Sequence, residues 1–145
     1  MHRLGVRIVE DITFLEGFDD DGERRAELGR LAHWVRDHQI TLEVCPVSNL
    51  QTAATTATSV ADHPITRLKE LDFAVTLNTD NRLMSRTSMS NEMTRLVTEA
   101  GWTIDDLADV TLTAAWSTFM HHDERRALVD EVILPGYQRV EGAQR

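Results

Sequence analysis

Cysteine is almost missing from this 145-residue chain: Cys45 is the one copy. No disulfide can close within the chain, and no cysteine-rich metal cluster can be built. A lone thiol fits a cytoplasmic setting. Long apolar runs are missing too. Nothing approaches the roughly 18 consecutive apolar residues that a membrane span needs. Met1-His2-Arg3-Leu4-Gly5-Val6 has no apolar segment of the signal-peptide kind behind it. The seven glycines never cluster, which excludes a phosphate-cradling loop. Gly-x-Ser-x-Gly does not occur, so Ser48 is not in a nucleophile elbow. Basic residues are outnumbered, 15 Lys and Arg against 24 Asp and Glu, for a net charge of -9. Nucleic-acid binding needs clustered Lys and Arg, so neither nucleic acid nor a membrane is an expected partner.

What is present suits a folded α/β domain. Hydrophobic residues make up 41% of the chain, enough for a core. Mixed-charge stretches such as Glu23-Arg24-Arg25 and Asp123-Glu124-Arg125-Arg126 read as solvated helix faces. Val6-Arg7-Ile8-Val9 reads as a strand with almost nothing before it, as though the chain begins inside a fold. Asp19-Asp20-Asp21-Gly22 reads as a turn and helix start, followed by a helix with Leu28, Leu31, Ala32 and Val35 on one face. Ile40 to Cys45 is the next strand, stopped by Pro46. The polar stretch from Ser48 to His63 is either filler or a long functional loop. Pro64 opens a short helix with Ile65, Leu68 and Leu71, and Phe73 to Leu77 is a third strand.

Helices follow to the end. Arg82 to Thr87 reads as a loop. Ser88 caps a helix with Met89, Met93, Leu96, Val97 and Ala100 on its apolar side, and Gly101 stops it. Thr103 and Asp106 form a capping box for the next helix. The last helix starts near Asp123 and ends before Pro135-Gly136. Strands alternating with helices imply parallel strands joined by helical crossovers. Residues 1–145 are expected to form a single domain that is only part of a larger barrel, since a complete (β/α)8 barrel uses about 250 residues.

Several polar residues invite a chemical reading. The apolar run Val75-Thr76-Leu77 ends abruptly in Asn78-Thr79-Asp80-Asn81. A strand that ends this way delivers polar groups to the mouth of an α/β barrel. Asp80 there can bind a metal, act as a base, or cap the next turn. Asn81 can form an Asx turn or donate an amide hydrogen to a ligand. His33 and His38 lie on an amphipathic helix without zincin spacing, and His63 begins a helix. His121-His122 falls short of a metal set. Cys45 reads as a buried structural thiol.

Leu42-Glu43-Val44-Cys45-Pro46-Val47-Ser48-Asn49-Leu50-Gln51-Thr52, followed in order by Val75-Thr76-Leu77-Asn78-Thr79-Asp80-Asn81-Arg82, resembles the last two barrel strands of bacterial adenosine deaminases. The likeness runs from Arg3 to about Tyr137. It implies a partial (β/α)8 barrel: the last three strands with their helices, plus C-terminal helices. It implies zinc-dependent hydrolysis of adenosine or deoxyadenosine, in which activated water attacks C6 of the purine and ammonia leaves. In that family Asp80 is a zinc ligand, and the Asn81 position contacts N7 of the purine. No catalytic residue carries over. The family's His-x-His and His-Ala-Gly-Glu segments do not occur here, and Arg3-Leu4-Gly5-Val6-Arg7-Ile8 skips the His-Gly step of the family's sixth strand. The chain by itself is therefore expected to be inactive. The alternatives are a non-catalytic α/β interaction domain, or one half of a split barrel completed by an N-terminal barrel fragment.

Overall fold

The computed structural model describes Val9 and residues 12–18 and 24–143. Two compact units divide the chain, Met1–Ile40 and Thr41–Arg145.

In the first unit, β1 (Ile12–Phe18) pairs antiparallel with β2 (Arg24–Leu28). The register runs Ile12 with Leu28, Thr13 with Glu27 and Phe14 with Ala26, then shifts before Phe18 meets Arg24. This corrects the sequence expectation, which placed Leu28 on a helix. Arg, Ala, Glu and Leu all favour helix, but a β-branched and aromatic partner strand overrides that weak preference. The helix begins later, as α1 (Arg30–Asp37), and buries Ala32 and Val35. His38 ends it, with Nδ1 2.8 Å from the Trp34 carbonyl. The turn at Asp19 to Gly22 lies outside the described residues, as do Val6 to Ile8 of the expected first strand. Val9 is helical.

The second unit is built on two parallel strands. β3 (Leu42–Val44) pairs with β4 (Val75–Leu77), Leu42 opposite Val75 and Val44 opposite Leu77. All three β4 residues are buried, as expected of a strand covered on both faces. Parallel strands need a crossover. Here it contains α2 (Pro46–Gln51) and α3 (Ile65–Glu70). Pro46 therefore opens a helix as well as ending a strand, because its missing N–H costs nothing at the first helical position. The polar stretch after Ser48 is not filler. It begins as helix, and its Val60 and His63 side chains join the core.

α4 (Arg82–Ser85) replaces the expected loop, because the Asn81 side chain accepts from the Met84 N–H and caps it. α5 (Met89–Ala100) starts at the Ser88 cap and stops at Gly101, whose φ of 73° is left-handed. Its buried side carries Glu92 and Leu96, whereas Met89 and Val97 are exposed. The expected apolar stripe is thus rotated by a buried acid. α6 (Ile104–Trp116) carries the Thr103–Asp106 capping box and packs on β4. Lys69 of α3 bridges to Asp106 at 2.7 Å, and Trp102 Nε1 donates to Thr66 at 2.8 Å.

The C-terminal helix does not stop before Pro135. α7 (His122–Ala127) passes through a π-helical segment, Leu128–Ile133, into α8 (Leu134–Ala143). A π turn widens the backbone where proline offers no N–H and its ring would strike the preceding turn. Tyr137 then ties α8 to α6, its hydroxyl donating to the Leu107 carbonyl and lying 2.8 Å from Thr111 Oγ1. Among the described residues no helix is long and apolar enough to cross a membrane.

Candidate metal and substrate rim

The two parallel strands bring Cys45, Ser48, Asp80 and Asn81 to one end. β3 and β4 run in the same direction, so their C-terminal ends emerge side by side. The ladder continues past β4 through the Asn78 N–H, which donates to the Val44 carbonyl at 2.8 Å. Asn78 Nδ2 folds back onto Thr76 Oγ1 at 2.8 Å. The chain then turns sharply. Asp80 has a φ of 54°, in the left-handed region where few residues other than glycine settle. Aspartate tolerates that region better than most.

The turn leaves the Asp80 side chain exposed at the strand end. Ser48 Oγ donates to Asp80 Oδ2 at 2.7 Å. Oδ1 has no hydrogen-bond partner among the described residues. The serine itself is only 2% exposed, so this donor is fixed by the fold rather than by chance rotation. Sequence reasoning weighed Ser48 as a nucleophile and missed it as a donor. The signal was faint: a serine three residues beyond Cys45, matched to an acid at the end of the neighbouring strand.

Asn81 is exposed, and its Oδ1 accepts from the Met84 N–H at 3.1 Å. This bond decides which way the amide faces. The oxygen is committed to the cap, and Nδ2 is left to donate. The cap reading of Asn81 holds, and the cap leaves Nδ2 without a bond within the turn. Cys45 is buried, and its thiol is pushed up to about 11. Burial is the main cause, with the Glu43 and Asp80 carboxylates adding to it, while a hydrogen bond from the Asp80 backbone opposes them. A thiol of that kind is inert.

Glu92 is the other residue missed. It lies under the rim, with Oε2 accepting from the Val47 N–H at 3.2 Å and Oε1 accepting from Thr87 Oγ1 at 2.8 Å. Burial raises its pKa above the usual carboxylate range, against the pull of the Thr87 and Val47 bonds.

The donor set fits a metal in part. Asp80 offers one carboxylate oxygen in the open, which suits a zinc ligand. Among the described residues no three His, Cys, Asp or Glu side chains come together. His121 and His122 are exposed at the start of α7, where the His121 N–H donates to Glu124 and His122 faces Asp123.

Residues 2–135 match the family model described as adenosine deaminase. The chain belongs to the adenosine deaminase family. It is 52% identical over 133 residues to adenosine deaminase 1 of Streptomyces coelicolor, a match covering 92% of this chain and 32% of that protein. Adenosine deaminase of Mycobacterium sp. strain KMS is 51% identical over 138 residues, covering 95% of this chain and 36% of its own length. The chain thus spans about a third of the curated relatives it matches. Among solved structures, adenine deaminase from Arthrobacter aurescens superposes with a TM-score of 0.73 at 21% identity, over 92% of this chain and 35% of that one. The fold is accordingly part of a deaminase (β/α)8 barrel. Within the described residues, β3 and β4 supply its parallel strands.

Proposed function

We propose that this chain supplies the C-terminal rim of a zinc-dependent adenosine deaminase site, with Asp80 as one metal ligand and Asn81 as a contact to the purine. The observation that carries the reading is the Asp80 carboxylate at the end of β4, held through one oxygen by Ser48. The reaction would be hydrolysis of adenosine or deoxyadenosine, water replacing the C6 amino group and ammonia leaving. The chemistry that zinc supplies at such a site is activation of water near neutral pH. This chain's own groups do three things. Ser48 fixes the carboxylate so that its other oxygen is presented to a cation. The cap on Asn81 aims Nδ2 outward, as a donor suited to a ring nitrogen such as N7. The apolar walls of β3 and β4 hold both residues at the same end. The remaining ligands and the general acid lie outside this sequence, so the chain alone is inactive in this reading. Residues 1–145 act as one incomplete piece of the barrel. A cytoplasmic setting, where a lone thiol such as Cys45 persists reduced, goes with it.

A second reading has its own support. Each of β3 and β4 has one strand neighbour among the described residues, and an open edge is a template for pairing. The occupant that fits is an N-terminal barrel fragment, which would make this chain one half of a split enzyme or an interaction domain.

One experiment addresses both readings. The purified chain is expected to release no ammonia from adenosine, and to hold no more zinc than Asp80→Ala. Turnover by the chain alone that a chelator stops would overturn its inactivity. Co-expressed with an N-terminal fragment of the Streptomyces relative that runs through the family's sixth strand and so supplies the His-Gly step this chain skips, it is expected to restore turnover that Asp80→Ala abolishes. Restored turnover that survives Asp80→Ala would overturn the ligand role. Co-purification without turnover would favour the interaction domain.

A further inference from the structure

We propose that Glu92 is a positioning residue for the Asp80 carboxylate, acting through Val47 and Ser48 at the start of α2. The inference rests on the reading of Asp80 as a metal ligand, but its test uses no metal. Glu92 is 1% exposed, an unusual place for an acid on an amphipathic helix. Both of its oxygens are satisfied there, by the Val47 N–H and by Thr87 Oγ1. Thr87 is itself held, accepting from Asn91 Nδ2 at 3.0 Å. Glu92 thereby clamps α2 to α5 across 45 residues of sequence.

The clamp acts at the place that matters for Asp80. Pro46 gives the start of α2 no N–H, so the Val47 N–H is the first one that needs a partner. Glu92 provides that partner, and a carboxylate is favoured near a helix N-terminus. Ser48 is the next residue, one helical step from the clamped amide. Its hydroxyl reaches Asp80 at 2.7 Å, a length that a small slide of α2 would break. Ser48 is the side chain that bonds the Asp80 carboxylate among the described residues. The left-handed Asp80 backbone places its side chain beyond the regular strand. The order of causes is therefore Glu92, Val47, Ser48, Asp80. A second tie, Gln51 Nε2 to the Ser85 carbonyl at 3.1 Å, anchors the far end of α2.

The test uses the full 145-residue chain and its Ser48→Ala, Glu92→Gln and Glu92→Leu variants. The readouts are the carboxylate carbon resonance of Asp80 at neutral pH and hydrogen exchange of the Val47 amide. Ser48→Ala defines the resonance of Asp80 without its donor. Glu92→Leu is expected to move the Asp80 resonance to that position, and to lower Val47 protection roughly tenfold. Glu92→Gln is expected to keep the wild-type resonance, since its oxygen can accept from Val47 and its amide can donate to Thr87. A folded Glu92→Leu with the wild-type Asp80 resonance would overturn the proposal, whatever its melting temperature. If Glu92→Leu fails to fold, Glu92→Asp draws the carboxylate back from the Val47 N–H by one methylene, and an unmoved Asp80 resonance there, with Val47 protection lost, would overturn the proposal equally. Failure of the complementation assay would leave these shifts unchanged, so the two readings fail separately.

Discussion

Acidification from pH 7 to pH 5 is expected to remove about 2 kcal/mol of stability through His63 alone. His63 is 4% exposed at the entrance to α3. Its Nδ1 accepts from the Ile65 N–H at 3.2 Å, which requires the neutral ring. Nε2 then carries the hydrogen, and it has no partner among the described residues. Burial lowers the pKa from 6.5 to about 4. The folded state therefore binds this proton less readily than the unfolded chain. Its contribution is fully present above pH 6.5 and is lost as pH falls through about 4. The whole shift is worth about 3 kcal/mol, of which roughly 2 is gone by pH 5. Glu92 works the other way. Its carboxyl is raised, so its effect on stability improves as pH falls toward the ordinary value of 4.5. Wild type alone would mix the two. His63→Asn separates them, because asparagine can accept from the Ile65 N–H without taking up a proton, and Glu92 is untouched. Urea unfolding at both pH values is the assay. The gap between wild type and His63→Asn should narrow, or turn in the variant's favour, by about 2 kcal/mol at pH 5. Parallel pH dependences in the two proteins would refute the reasoning.

Three further outcomes are expected. Gly101→Ala should cost about 1 kcal/mol in urea unfolding, because Gly101 ends α5 at a φ of 73° with open space around it, so that backbone strain alone is at issue. Leu96→Ala should cost about 3 kcal/mol in urea unfolding, since Leu96 is fully buried on α5. Cys45 should resist iodoacetamide at pH 8 in the native protein and react on unfolding, because its thiol is buried and raised to about 11.

Much of the second unit was legible in the sequence. Ser88, Gly101 and the Thr103–Asp106 pair work through local hydrogen bonds and local dihedrals, and each does in the structure what its residue type dictates. Val75-Thr76-Leu77 is a buried strand because its side chains have no other good use. The placing of Asp80 and Asn81 at its end followed from the same run. Other elements were not legible. Arg24 to Leu28 became a strand because a partner strand was available, which no local preference records. Arg82 to Ser85 became a helix through one side-chain cap.

The sequence by itself determined where the rim residues fall along the chain and which family they belong to, because strand ends, caps and motif order are properties of neighbouring residues. Only the tertiary structure decided what holds them. Ser48 meets Asp80 across 32 residues, and Glu92 meets Val47 across 45. Those hydrogen bonds exist only once two parallel strands and the helices beneath them have been brought into register, and an acid such as Glu92 is worth burying only where that packing supplies its donors.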